Sequence, residues 1–208
     1  MVDVLLVDTT MGNLRSVERA LVRAGASVVT SHAPDAVRAA DRVVVPGQGG
    51  FGGFAEALDG GLRDALREHI ERDRPYLGIC LGMQILFEDS EEAPGAPGLG
   101  VFSGGVRRLP RDQPDPQQPG RHLKIPHMGW NQVTGTHPLT DEGAWYYFVH
   151  SYACVPDDAS LVVGRATYGQ PVTAAVARGA TFACQFHPEK SQAAGARLLG
   201  RFLGTEAS

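Results

Sequence analysis

Two short stretches of this sequence carry side chains suited to acyl transfer: Gly78-Ile79-Cys80-Leu81-Gly82 and His187-Pro188-Glu189. A cysteine nucleophile works as its thiolate and needs a base to take and return protons, with a further group orienting that base. Glycines two before and two after Cys80 are what a sharp strand-to-helix turn requires, because side chains there would meet neighbouring backbone. Such a turn can leave the cysteine itself in a strained conformation. It lifts the thiol off a sheet and sets it at a helix N-terminus, where amide donors and the dipole favour the thiolate. Alone, G-x-C-x-G fits a buried cysteine in a glycine-rich turn equally well. The sequence His187-Pro188-Glu189 follows the apolar run Phe182 to Phe186, and its spacing lets the carboxylate reach back to a proline-stiffened imidazole. A lone His-Pro-Glu is usually a loop accident. Downstream of a cysteine elbow, it reads as the remainder of a triad, Cys80, His187 and Glu189.

The glycine-rich stretch Pro46-Gly47-Gln48-Gly49-Gly50-Phe51-Gly52-Gly53 is the third candidate. It is no Walker A loop, since no Lys-Ser/Thr follows, and it equally fits a flexible loop with no ligand. Beside an elbow, backbone N–H from Gly47, Gln48 or Gly49 could join the N–H of Leu81 around an oxyanion.

These pieces need a scaffold that brings them to one edge. Apolar runs at Met1 to Val7, Val28-Val29, Val43 to Val45 and Tyr76 to Ile79 read as strands. Between them lie helical patterns: Leu14, Val17, Leu21 and Val22, then Asp35 to Ala40, then much of Phe54 to Arg72 with a break at Gly60-Gly61. Such alternation predicts parallel strands joined by right-handed crossovers, an α/β scaffold with functional groups at the strands' carboxyl ends. After a polar loop from Glu88 to Gly98 the pattern turns strand-rich: Val101 to Arg108, Leu123 to Ile125, Asn131 to Thr134, Trp145 to Tyr152, Leu161 to Thr167, Val172 to Ala177 and Thr181 to Phe186. The proline-rich segment Pro110 to Gly120 cannot pack a core, and a last helix is expected over Ser191 to Leu203. No repeat or linker divides the chain. One three-layer domain over residues 1–208, with a mixed central sheet, is the expectation.

Composition narrows the partners. A length of 208 residues, 43% hydrophobic and 20% charged, suits a globular α/β domain. A net charge of −4 and the lack of a basic stripe argue against nucleic acid. The run Arg107-Arg108-Leu109-Pro110-Arg111 reads as a solvated loop edge. No apolar run reaches membrane-spanning length and no signal-peptide pattern opens the chain, which excludes a membrane partner and leaves a cytoplasmic expectation. Three cysteines form no disulfide framework, and Cys154 and Cys184 read as core residues. His32, His69, His122 and His137 read as surface or loop histidines.

The elbow with Met83-Gln84, the Pro46-Gly47-x-Gly49 loop and His187-Pro188-Glu189 together resemble class I, triad-type glutamine amidotransferases over nearly the whole chain. Four further stretches narrow the likeness to the branch serving histidine biosynthesis: Gly12-Asn13-Leu14-x-Ser16, Pro126-His127-Met128-Gly129-Trp130-Asn131, Tyr147 to Tyr152 and His187 to Ser191. The anthranilate and carbamoyl phosphate branches typically carry His where this chain has Met83, and the pyridoxal phosphate synthase glutaminase has a different oxyanion loop. Gln48 is a departure, since many members of the branch carry Val there. A hole made of backbone N–H tolerates that change, although it could alter how the loop switches.

The resemblance implies glutamine hydrolysis through a cysteine thioester with no cofactor or metal. Gln84 would help hold L-glutamine, with backbone around His150, Ser151 and Tyr152 receiving its α-carboxylate. Ammonia would pass to a (β/α)8-barrel cyclase in a heterodimer with hydrolase and lyase activity, giving imidazole glycerol phosphate and an aminoimidazole carboxamide ribotide. Asn13, Trp130, Tyr147 and Lys190 become interface candidates, and activity without the partner is expected to be weak. The fold the resemblance implies is flavodoxin-like, and competing readings are a glutaminase serving another amidotransferase, a cysteine hydrolase or peptidase on the same flavodoxin-like scaffold, and a redox-sensing or chaperone-like protein. Gln84 with His187-Pro188-Glu189 discriminates, because redox sensing needs none of them.

Overall fold

A computed structural model describes residues 1–9, 14–116 and 118–205. Its centre is a seven-stranded sheet in the order β10-β11-β12-β4-β3-β1-β2. Strands β1 (Val2–Val7), β2 (Ala26–Ser31), β3 (Val43–Gly47), β4 (Tyr76–Cys80) and β12 (Thr181–Cys184) run parallel. The antiparallel strands β10 (Val162–Tyr168) and β11 (Gln170–Arg178) extend the sheet beyond β12.

Period-two alternation divides the core. Val4, Leu6 and Val44 face helices α1 (Leu14–Arg23) and α6 (Gln192–Leu203). Leu5, Val7, Val43 and Val45 face the opposite layer, where α2 (Pro34–Ala39), α3 (Phe51–Ala57) and α4 (Leu62–Glu71) pack. Three layers follow directly. The break at Gly60-Gly61 separates α3 from α4, and both glycines have positive φ, 71° and 92°. Helix α3 starts at Phe51, inside the glycine-rich stretch, because Phe51 and Phe54 are fully buried and anchor that turn.

The strand-rich half departs from expectation in register and extent. Trp145 to Tyr152 is two strands, β8 (Ala144–His150) and β9 (Tyr152–Pro156). β9 joins β5 (Asp89–Ser90) and β6 (Gly104–Arg108) in a small sheet, which draws both Asp89-Ser90 of the expected loop and Arg107-Arg108 into strands. β8 pairs instead with β7 (His127–Val133) as a two-stranded ribbon. Leu123 to Ile125 forms no strand; Leu123 N–H bonds only to the Gln113 carbonyl of the neighbouring loop. His69 is buried rather than on the surface, with Nε2 3.1 Å from the Pro75 carbonyl. His137 is half-buried, stacked 4.8 Å from the Phe182 ring.

Candidate active site

The sheet order brings the three sequence candidates to one edge. β4 lies between β3 and β12, with Gly47 paired to Cys80 and Cys184 paired to Ile79. The glycine loop therefore leaves the sheet on one side of Cys80, and the His-Pro-Glu turn leaves on the other.

Cys80 ends β4 at φ 56° and ψ −106°, a strained conformation for a residue with a side chain. The glycines around it are required by close approach. A Cβ on Gly78 would collide with the Gly82 carbonyl, and one on Gly82 with the Val45 carbonyl of β3. The Tyr76 hydroxyl, buried under the turn, donates to the Gly82 carbonyl at 2.8 Å. Helix α5 (Leu81–Gln84) is a single turn. Its macrodipole is correspondingly small, and its contribution to a thiolate comes from local N–H groups.

His187 and Glu189 meet across their proline, Nδ1 to Oε1 at 2.8 Å, with both side chains 1% exposed. The His187 Nε2 is buried without a well-aligned hydrogen bond, and its ring interacts with Cys80 closely enough to perturb titration. Burial pulls the imidazole down, but the nearby Cys80 sulfur, the Glu189 hydrogen bond and their charges outweigh it and raise its pKa to about 9. Backbone contacts fix the turn: His187 N–H donates to the Tyr147 carbonyl at 2.9 Å, and Ser191 Oγ–H donates to the His187 carbonyl at 2.6 Å.

A cavity of about 400 Å³ opens over Cys80 and His187. Gln48, Gly49, Leu81 and Gln84 line one part; His150, Ser151 and Tyr152 line another. Gly47 lies beneath the loop, packed so closely that a Cβ would meet Phe54 and Leu81. Gly49 has φ 104°, so the loop turns through a conformation that glycine readily adopts. Every sequence-expected oxyanion and substrate residue except Gly47 thus borders one space. Cys154 and Cys184 are buried, and burial pushes both thiols up. A groove of about 540 Å³ between α1 and α6 reaches Glu189 but neither Cys80 nor His187.

Two site residues escape sequence reasoning. Glu92, in the acidic loop, lines the cavity and accepts the Phe51 N–H at 2.8 Å. It and Lys190 are the carboxylate and the ammonium among the lining side chains, a pair suited to a zwitterion. Gln185, fully buried, donates its amide N–H to Cys80 Sγ at 3.5 Å. A glutamine at a fully buried strand end is itself a signal, since a buried amide needs partners.

The outer face of the β7–β8 ribbon exposes Met128 (61%), Trp130 (44%) and Trp145 (56%). Tyr147 pairs with Trp130 across the ribbon, and the Lys190 ammonium lies 5.9 Å from its ring centroid. Asn13 lies outside the described residues.

The model of the family Glutamine amidotransferase class-I matches residues 5–204. The chain is 44% identical over 205 residues to imidazole glycerol phosphate synthase subunit HisH of Syntrophotalea carbinolica, covering 96% of this chain and 98% of that one. It is 48% identical over 209 residues to the HisH subunit of Nitrosomonas europaea, covering 96% and 97%. Among solved structures, a glutamine amidotransferase superposes with a TM-score of 0.73 at 21% identity, over 97% of both chains. That likeness is one of fold.

Proposed function

Because the chain belongs to the class I glutamine amidotransferases and, within them, to the HisH subunits of imidazole glycerol phosphate synthase, we propose a division of labour in which it makes ammonia for a cyclase subunit. The Cys80 thiolate attacks the side-chain carboxamide carbon of L-glutamine. The carbonyl oxygen takes the negative charge against N–H from Leu81 and the Gly47-Gln48-Gly49 loop. His187, protonated through the neutral range, gives its proton to the departing nitrogen, and the C–N bond breaks to leave ammonia and a γ-glutamyl thioester. Water then adds, with His187 now the base held by Glu189; the C–S bond breaks and glutamate leaves.

Substrate placement follows the cavity's charges. Glu92 receives the α-ammonium group, and backbone around His150, Ser151 and Tyr152, with Lys190 nearby, receives the α-carboxylate. Both amide hydrogens of Gln84 are engaged, on the Tyr152 carbonyl and on Gln185 Oε1, so it meets substrate through its oxygen.

The partner is the (β/α)8-barrel cyclase, docked on Met128, Trp130, Tyr147 and Lys190. That ribbon also holds the triad: the Tyr147 carbonyl accepts the His187 N–H, and the Tyr147 N–H donates to Ser191 Oγ at 3.0 Å. Docking can therefore reset the catalytic turn, which gives low activity for the chain alone. One domain over residues 1–208 does this work in the cytoplasm, consistent with three free buried cysteines. No described helix is long and apolar enough to cross a membrane.

The observation that carries the reading is the convergence of Cys80, His187 and Glu189 from adjacent strands onto one cavity. The test is turnover by the complex with the cyclase and its nucleotide ligand. Cys80→Ala abolishes glutamine-dependent turnover while ammonium salts still support synthesis. Loss of both would overturn transfer between subunits, and retained glutaminase activity would overturn the nucleophile.

A further inference from the structure

Behind the cavity runs a line of polar groups, with His127, His150, Gln84 and Gln185 buried, whose hydrogens have one possible order. It starts at Asn131, whose amide orientation is fixed by backbone at both ends. Its Nδ2 donates to the Thr167 carbonyl at 2.9 Å, and its Oδ1 accepts the Gln132 N–H at 2.8 Å. The second Nδ2 hydrogen points to His127 Nε2 at 3.2 Å, so that nitrogen is an acceptor. His127 therefore carries its hydrogen on Nδ1 and donates to His150 Nε2 at 2.9 Å. His150 then carries its hydrogen on Nδ1, donating to the Tyr152 carbonyl at 2.9 Å. That oxygen also accepts Gln84 Nε2 at 3.1 Å, which fills its two lone pairs. The other Gln84 hydrogen goes to Gln185 Oε1 at 3.0 Å, which leaves the Gln185 amide nitrogen facing Cys80 Sγ at 3.5 Å.

An added proton on either histidine would set N–H against N–H. Both rings are consequently neutral. Burial and mutual repulsion push His127 down to about 3. Burial, against the Tyr152 hydrogen bond and with the His187 charge, takes His150 to about 4. The stack of His127 on Phe148 at 4.7 Å and Tyr168 at 4.0 Å holds the ring in place.

We propose that Gln185 is the side-chain donor that holds the Cys80 sulfur as a reactive thiolate, and that Gln84, donating to the Tyr152 carbonyl and to Gln185 Oε1, is the positioning residue that fixes which end of the Gln185 amide faces the sulfur. The inference rests on Cys80 as the nucleophile. An amide turned the other way would present its oxygen to the thiolate and repel it.

The experiment uses the full chain in complex with its cyclase. Iodoacetamide labelling of Cys80 is followed by peptide mass against pH, because the labelling midpoint reports the thiol directly. Gln185→Met keeps the side-chain length and removes both polar ends. The labelling midpoint should rise by about 1–2 pH units, and kcat for glutamine should fall about 10- to 100-fold, as expected for losing a hydrogen bond to a charged group. KM should stay within about twofold. Gln84→Met removes the donor to Gln185 Oε1; its midpoint shift should appear with Gln185 present and vanish in the Gln185→Met background. An unchanged midpoint in Gln185→Met overturns the donor role, and additive shifts in the double variant overturn the positioning role of Gln84. Size-exclusion chromatography checks that each variant complex is assembled. Retained glutaminase activity in Cys80→Ala would sink the nucleophile itself, whereas the labelling midpoint still reads the Gln185 contact.

Discussion

Replacing Glu189 by glutamine removes one charge while preserving size and an oxygen beside His187 Nδ1. The ring is raised to about 9 against a burial penalty, with Glu189 one of two groups supplying the upward shift. Loss of a buried hydrogen bond to a charged group costs about 1.5–3 kcal/mol, or about 1–2 pKa units. The variant imidazole should therefore titrate near pH 7–8 by the same conversion, about 1–2 units down. At pH 8 its protonated fraction falls from about nine-tenths to between about one-tenth and one-half. The alkaline limb of kcat against pH, measured with the cyclase and its ligand bound, should move down by about 1–2 units. Stability changes with the same sign. A ring whose folded pKa exceeds its ordinary 6.5 stabilises the fold fully below pH 6.5, and that stabilisation disappears as pH rises through 9. The wild type should lose about 3 kcal/mol from this ring across that window and the variant about 1–2 kcal/mol. Urea melts at pH 6 and pH 9.5 check this. An alkaline limb that stays in place while activity drops equally at every pH would refute the electrostatic role and leave Glu189 as a steric prop.

Gly82→Ala forces a methyl group into the Val45 carbonyl and should destabilise the fold by more than about 3 kcal/mol, read as a lowered Tm together with lost glutaminase activity. Glu92→Gln should raise KM for glutamine about tenfold with kcat nearly unchanged if its charge holds the α-ammonium group, and steady-state kinetics decide this. Trp130→Ala, at an exposed site, should leave the Tm of the isolated chain in place while weakening cyclase binding by about 2 kcal/mol in titration calorimetry.

The elbow was legible because its chemistry is local. Gly78 and Gly82 stand at fixed offsets from Cys80, and the backbone carbonyls that exclude a Cβ lie in β3 and in the elbow itself. Val43 to Val45 and Tyr76 to Ile79 are wholly apolar, as strands covered on both faces must be. Gln185 closes an apolar run and its partners, Gln84 and Cys80, are distant in sequence, so no local pattern marks it. Trp145 to Tyr152 reads as one strand for a similar reason. Its residues suit strands throughout, and only the different partners of β8 and β9, β7 and β6, divide it after His150. Glu92 sits in a run of acids typical of solvated loops, and only the Phe51 N–H across the cavity mouth distinguishes it. Burial of His69 depends on α4 packing beside Pro75, a contact that periodicity cannot specify.

The opposed rings of His127 and His150 have a spectroscopic consequence. Each carries one Nδ1 hydrogen, committed to a partner and shut away from solvent. Such hydrogens exchange slowly and give sharp imidazole resonances outside the crowded amide region of a proton spectrum. The ribbon thus contains two native reporters, needing no attached probe, through which events at its outer surface can be followed from inside the protein.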